Sequence, residues 1–395
     1  MITRRSLLGG AAAAATVPLW TSMTSPSAAA GRLPLDLVNR RIGHRAYAVV
    51  SGRDPVSGRW FFLAADGKTK TYPRAGRTSR TPLNVDTAIP LSASGATRRL
   101  MLPPIESGRV YLSLDRKLRF FVNPDGGIAT PSVTDPHDPN AATEWTFFEL
   151  THDTNGVYAN ISFVDFVGVP LSLGLKTASG AQRVGGLERA GLSRIAAGLR
   201  TQSARDGSGW RKLIVSQGGR DLRILSPNLA AHAAGRNPVS GYLDPYIRQV
   251  WQKYRSVDLI IDTQSRWGTV AGRVRPNGRL TFPRIGSFAQ PSTYAVFNCS
   301  VAPFVTANNV MGNLSARLAA ALNRTTLLEN SHQPDTTQGS FYRAARTNHY
   351  ARLIHAHTAG GAGYAFPYDD VHTARFNTEG RVVHPHPQLL SVEVG

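Results

Sequence analysis

Apolar and polar positions change rhythm twice along this chain. From Leu35 to about Leu173 they alternate in short runs broken by Gly, Pro, Asn and Asp, the texture of β-strands joined by turns. Arg109-Val110-Tyr111-Leu112-Ser113-Leu114 is one such run. Leu118-Arg119-Phe120-Phe121-Val122 is another, stopped by the turn signal Asn123-Pro124-Asp125-Gly126-Gly127. After Leu173 the period lengthens. Leu192, Ile195, Ala196 and Leu199 recur at helical spacing. Asp244-Pro245 opens a further helix, Asp as its N-cap and Pro in first position, with Ile247, Val250, Trp251 and Tyr254 on the apolar face. Asp258-Leu259-Ile260-Ile261-Asp262 reads as a buried strand and Pro276-Asn277-Gly278 as a hairpin turn. Leu314, Leu318 and Leu322 mark another helix, and 339–358 one more. Tyr364-Ala365-Phe366-Pro367-Tyr368-Asp369-Asp370 returns to β-like text. The predicted fold is mostly β with an α/β part: a β-sandwich or barrel over 31–175, completed by 359–395, and a mixed α/β domain over 176–358.

The sharpest pattern runs from Glu144 to Leu173. Asn155-Gly156 is the favoured pair for a two-residue type I′ turn. With that turn, Glu149 faces Ser162, Thr151 faces Asn160 and Asp153 faces Tyr158, while Phe148 meets Phe163 and Leu150 meets Ile161. Side chains alternate across a strand, so one face is core and the other wet. The wet face carries Glu149, Thr151, Asp153, Tyr158 and Asn160, which could line a groove for a polar ligand. Asp165 breaks the rule. It shares parity with Ile161 and Phe163, and an unpaired carboxylate in the core is too costly to expect. The strand should therefore bulge or end near Val164, and a turn through Gly168 and Pro170 could carry Asp165 back towards Glu149.

Composition narrows the setting. Residues 1–30 read as an export signal: Thr3-Arg4-Arg5-Ser6-Leu7-Leu8 is a twin-arginine pattern, an Ala-rich apolar run follows, and Ala28-Ala29-Ala30 offers a cleavage site before Gly31. No later segment approaches the ~20 apolar residues of a membrane span. A secreted, extracellular protein is expected, with no membrane association after signal removal, and a monomer. Cys299 is the sole cysteine, so no internal disulfide can form; it reads as a small buried hydrophobe. The net charge of +20 falls to +18 without Arg4 and Arg5. That surface favours adhesion to an acidic wall or particle. The basic residues are scattered without interleaved aromatics, so nucleic acid is not an expected partner.

Specific segments then point to a family. Glu149-Leu150-Thr151, Tyr158-Ala159-Asn160-Ile161-Ser162 and Val164-Asp165-Phe166-Val167-Gly168-Val169-Pro170-Leu171 resemble the central acidic hairpin of thaumatin-like proteins. Leu35-Asp36-Leu37-Val38-Asn39-Arg40 resembles their first strand and Ser107-Gly108-Arg109-Val110-Tyr111 a later one. Tyr364 to Asp370 is similar to their Tyr-Ser-Tyr-x-Tyr-Asp-Asp segment. The near-absence of cysteine and the long middle segment depart from the plant members, and both match glycoside hydrolase family 64, the bacterial β-1,3-glucanases. Asn160 stands where the plant proteins carry an acidic-cleft Asp, and Ser113 near their cleft Arg. The resemblance implies a thaumatin-like β domain beside the α/β domain, with a wide groove between them for β-1,3-glucan. It also implies an inverting mechanism by one Glu and one Asp, which fall on Glu149 and Asp165.

Inversion needs an acid at the leaving oxygen and a base holding water on the opposite face. Glu149 is assigned as general acid and Asp165 as general base, with the exchange of these roles as the alternative. Thr151, Asp153 and Asn160 would bond sugar hydroxyls and Tyr158 would pack on a pyranose face; the other reading makes Thr151, Asp153 and Asn160 simply the exposed face of a hairpin. Asp369 or Asp370 would extend the acidic lining; the other reading is a hydrogen-bonding pair in a turn. No metal or organic cofactor is expected, since protons and water suffice. His355 and His357, two apart on a helix, diverge and lack a third ligand. His384-Pro385-His386-Pro387 has even less claim to a metal. Trp145, Trp251 and Trp267 are candidates for sugar stacking, Trp251 less so because it falls on an apolar helix face. The competing function is a non-catalytic β-glucan-binding or antifungal wall-binding protein using the same groove.

Overall fold

The computed structural model describes residues 31–74, 79–233, 237–371 and 378–395. The export-signal segment 1–30 lies outside the described residues. Two large open sheets and a small three-stranded one build the β part, and none closes on itself, so the sandwich form of the expectation holds and the barrel form does not. In the front sheet, strand Trp145–Asp153 lies between Ile105–Leu114 and Gly156–Asn160. Ala46–Arg53 continues it on one side and Arg381–His384 on the other. In the back sheet, the chain's first strand, Leu33–Asn39, pairs in parallel with its last, Pro387–Val394, in the register Leu35 with Leu390. The C-terminal return anticipated from the sequence is thus made at the centre of a sheet. Strands Leu171–Thr177 and Gly180–Val184 form one edge of the back sheet, which therefore runs past the expected boundary at 175.

Strict alternation sets the core. Leu35, Leu37, Leu173, Leu175, Leu390 and Val392 turn inward from the back sheet; Val110, Leu112, Phe148, Leu150 and Ala159 do so from the front sheet, all buried. The opposite face of the front sheet is only partly wet. Trp145 and Phe147 on it pack against Phe166, with the Trp145 and Phe166 rings edge to face at 4.7 Å, and Tyr111 packs on Trp145 and Phe147.

The α/β part follows. Helix Gly191–Asp206 buries Ile195, Ala196 and Leu199 and packs on helix His349–His357. Helix Asp244–Lys253 buries Ile247, Val250 and Trp251 as its periodicity implies. Asp244 is its first residue rather than its cap. The carboxylate instead accepts from the N–H and hydroxyl of Thr293, at 3.0 and 2.6 Å. Leu259–Asp262 is the buried strand foreseen, in a five-stranded sheet with the hairpin that turns at Pro276–Gly278. Helix Val310–Arg324 buries Leu314, Leu318 and Leu322.

Two expectations fail here. The last helix starts at His349, not near 339, because Asn348 caps it by accepting from the Ala351 N–H at 3.1 Å. The Tyr364–Asp370 segment is a chain of turns whose only ladder contact among the described residues is a bridge from Tyr364 to Ser162.

Candidate functional site

The acidic hairpin forms with a register two residues away from the one expected. Glu149 pairs with Asn160, Thr151 with Tyr158 and Asp153 with Gly156. Asp153 sets this register. Its carboxylate accepts from the Asn155 N–H at 2.7 Å, so the chain reverses over Thr154-Asn155 without positive φ, and only Gly156 adopts it, at 116°. A shift of two preserves parity, so the wet face keeps its members. Glu149, Thr151, Asp153 and Tyr158 are half-buried, and Asn160 is buried.

Directly opposed residues share a face. One row across the front sheet therefore reads Arg109, Glu149, Asn160, Arg381. Arg109 follows a β-bulge around Ser107-Gly108, where the pairing of Ile105–Leu114 with its neighbour slips and Ser107 takes φ of 47°. Its guanidinium donates to Glu149 Oε1 twice, from Nε at 3.2 Å and from Nη2 at 2.9 Å. Underneath lies the Phe147 ring, 4.5 Å from the guanidinium carbon.

Asp165 arrives at the same arginine. After Asn160 the chain leaves the front sheet. Phe163 donates to the Tyr364 carbonyl and accepts from the Tyr350 hydroxyl, and the backbone bends at Val164-Asp165. Phe166-Val167 then joins strand Arg220–Leu225 of the α/β part, and Ser226 N–H bonds the Asp165 carbonyl at 2.9 Å. Gly168 permits the crossing, since a Cβ there would come within 2.2 Å of the Trp145 carbonyl oxygen. The Asp165 Oδ2 ends 3.8 Å from Arg109 Nη2. With Glu149 Oε1 at 2.9 Å from the same nitrogen, the two carboxylate oxygens lie at most about 7 Å apart. The parity argument therefore located a real bend.

Electrostatics follow from this placement. The Asp165 side chain keeps 38% of its surface, yet protein surrounds it on most sides. Burial raises its carboxyl above the usual range; Arg109 opposes that and Glu149 adds to it. For Arg109, burial alone would lower the guanidinium, but Tyr111, Glu149 and Asp165 together hold it above its ordinary value.

The other expected residues scatter. Thr151 stays on the wet face beside Tyr158. The Tyr158 hydroxyl donates to Glu379, whose other oxygen meets Arg381 at 2.9 Å, so its polar end is occupied. Asp153 is half-buried and lies at the hairpin turn, where its carboxylate accepts from Asn155. Asp369 lies in the core. It has no exposed surface and is held by Arg324 at 2.9 Å, His355 at 2.9 Å and the Ala365 N–H, so it is the structural pair of the turn. Asp370 is half-buried, within electrostatic reach of Tyr158 and Tyr364, with its carboxyl raised by burial. Trp145 and Trp251 are core, leaving Trp267 half-exposed. Among the described residues, no group of three or more His, Cys, Asp or Glu is arranged to hold a metal, and no helix is long and apolar enough to cross a membrane.

Sequence reasoning missed Arg109, Glu379 and Arg381. The signal for Arg109 was present, a lone cation in an otherwise apolar strand run, but nothing local says which strand lies beside it.

Comparison with known proteins identifies the family and its relatives. The family model for glycoside hydrolase family 64, described as β-1,3-glucanase, matches residues 31–394. Glucan endo-1,3-β-glucosidases of Cellulosimicrobium cellulans and Arthrobacter sp. (strain YCWD3) are each 32% identical over 280 residues, covering 69% of this chain and 50% of theirs. The chain thus spans about half the length of the curated relatives it matches. A laminaripentaose-producing β-1,3-glucanase solved with laminaritetraose superposes with a TM-score of 0.82 at 32% identity, over 92% of this chain and 98% of that one. The family 64 enzyme of Paenibacillus barengoltzii gives 0.61 at 25% identity, over 95% and 78%.

Proposed function

The chain belongs to glycoside hydrolase family 64, and from that membership and the Arg109 corner we propose that it is a secreted endo-β-1,3-glucanase acting with inversion through Glu149 and Asp165. The observation that carries this reading is the convergence of two carboxylates, brought in by separate segments, on one guanidinium. A bound β-1,3-glucan would place a glycosidic oxygen at Glu149 and a water at Asp165. Glu149 gives its proton to the leaving oxygen as the bond from the anomeric carbon breaks. Asp165 takes a proton from the water as that water bonds to the opposite face of the same carbon. The ring oxygen shares the positive charge of the transition state, which the two carboxylates stabilise. Glu149 is left ionised and Asp165 protonated, and solvent resets both.

Asn160, next to Glu149 in the row, and Thr151 are placed to bond sugar hydroxyls. Asp370, on the far side of Tyr158, would lengthen the groove between the β and α/β parts. Export by the twin-arginine route would place the enzyme on extracellular glucan.

The test is incubation of the purified chain with laminarin and curdlan, measuring reducing ends and following the anomeric form of fresh product by NMR. Release of α-anomers supports the reading. Tight retention on curdlan without cleavage would support the binding protein instead. Glu149→Gln and Asp165→Asn should each lower kcat by about a thousandfold or more. With Asp165→Asn, azide should restore turnover and give an α-glycosyl azide; rescue in Glu149→Gln instead would exchange the two roles.

A further inference from the structure

The Arg109–Glu149 contact is lopsided. Both donors, Nε at 3.2 Å and Nη2 at 2.9 Å, address the single oxygen Oε1. Among the described residues no hydrogen bond reaches Oε2. A bidentate arginine–carboxylate pair would engage both oxygens, one per nitrogen. Here one oxygen is fixed and the other is left for a different partner. The same Nη2 faces Asp165 Oδ2 at 3.8 Å, too far for a hydrogen bond but close enough for a strong charge interaction. The guanidinium is itself held in plane by the Phe147 ring beneath it and by its place beside the bulge. Few torsions remain free once it is seated.

We propose that Arg109 is the positioning residue of this site, fixing Oε1 of Glu149 so that Oε2 exchanges the proton with the glucan, and joining the two carboxylates into one unit. This rests on the glycosidase reading above. Three consequences follow from the geometry. Glu149 cannot rotate its carboxyl without breaking two bonds, so Oε2 points one way. The cation between two like charges lets both sit near each other when ionised. Its attraction is shared, so removing it acts on both groups at once. The charged and titratable groups facing it are Tyr111 on its own strand, Glu149 on the neighbouring strand and Asp165 on the crossing segment; Ser51, from the strand on its other side, is neutral.

The experiment measures laminarin hydrolysis by the full chain between about pH 3 and pH 8 for the wild type, Arg109→Ala and Arg109→Lys, with circular dichroism as the check on folding. Arg109→Ala should lower kcat about a hundredfold, the cost of a misplacement of about 1 Å, with KM changed by less than about threefold. The acid limb of the pH bell, set by Asp165, should move up by about one unit, because its carboxyl loses a neighbouring cation. Added guanidinium ion should return part of the rate. Arg109→Lys should restore the position of the bell but leave kcat about tenfold low, since a point charge cannot make the two-donor grip. Full kcat in Arg109→Lys, or an unmoved bell in Arg109→Ala, overturns the assignment. Where Arg109→Ala does not fold, the kcat of Arg109→Lys decides alone. A wild type that leaves laminarin intact removes the glycosidase reading and this one with it. An active wild type with indifferent Arg109 variants removes the positioning role only.

Discussion

At Asp165 the proposed catalytic role and stability pull in opposite directions. Burial raises its carboxyl, which means that the folded protein holds the proton more tightly than the unfolded chain does. The sign follows. The stabilisation is fully present below the unfolded pKa and is lost as pH rises through the higher folded one, so at neutral pH the ionised group strains the fold. Asp165→Asn should therefore abolish hydrolysis and raise Tm by about 2 °C at neutral pH, a modest figure because the side chain is partly solvated. The gain should vanish in acid, where the wild-type carboxyl is protonated too; a fall in Tm at pH 7 would sink the argument. Asp369 is the opposite case. Its folded pKa is depressed: burial works against that, but His355 and Arg324 outweigh it. Asp369→Asn leaves Arg324 as an unpaired buried cation and should cost about 3 kcal/mol or more in urea unfolding. The two neighbours Asp369 and Asp370 could not be told apart from the sequence, because what separates them lies at Arg324 and His355. Glu149 and Asp165 could be, since strand parity is a local rule. Arg109 stayed hidden because pairing between Ile105–Leu114 and Trp145–Asp153 spans a long loop that no local pattern encodes.

For the hairpin, the sequence placed the turn one residue late, at Asn155-Gly156 where Thr154-Asn155 makes it. Asn155-Gly156 invites a type I′ turn, but Asp153 offers a side-chain acceptor to Asn155 that competes with it, and this bond wins. Gly156 then serves a second purpose. Its φ of 116° suits glycine, and a Cβ there would lie 2.2 Å from the His384 carbonyl oxygen, on the neighbouring strand. Gly156→Ala should therefore destabilise by about 2 kcal/mol or more and loosen strand Arg381–His384 from the hairpin. Amide exchange should quicken at Val382 and Val383; unchanged protection would show that the strand gives way at no cost. The same competition explains the shortened last helix. Apolar spacing carried the expectation back to 339, whereas the Asn348 cap, visible as Asn three residues before Ala351, marks the start. At 364–370 aromatic alternation suggested a strand. Asp369 instead captures the Ala365 N–H and holds the segment in turns, with Tyr368 at a φ of 67°.

Across the whole molecule the two residues proposed for the chemistry come from different parts. Glu149 stands on the front sheet, and Asp165 on a segment whose next residues belong to the α/β part. The proposed catalytic geometry, divided in this way, requires a stiff joint. The order of β text, helical text and β text was legible because each texture has its own period. The joint was not, since the pairing of Phe166-Val167 with Ile224-Leu225 involves two residues on one side. Its stiffness has a visible source: buried side chains from Leu35 through Phe166 and Leu225 to Leu353 form one continuous apolar cluster, not two. Separating the parts would expose the rings of Trp145, Phe147 and Phe166 to water, and each such side chain costs about 2 kcal/mol or more. The two parts should consequently unfold together. Calorimetry and near-ultraviolet dichroism should report one transition with coincident midpoints, and the calorimetric enthalpy should equal the van't Hoff value. Two transitions separated by more than about 5 °C would mean that the joint yields before the cores do, and Arg109 would then have to recapture Asp165 at every opening.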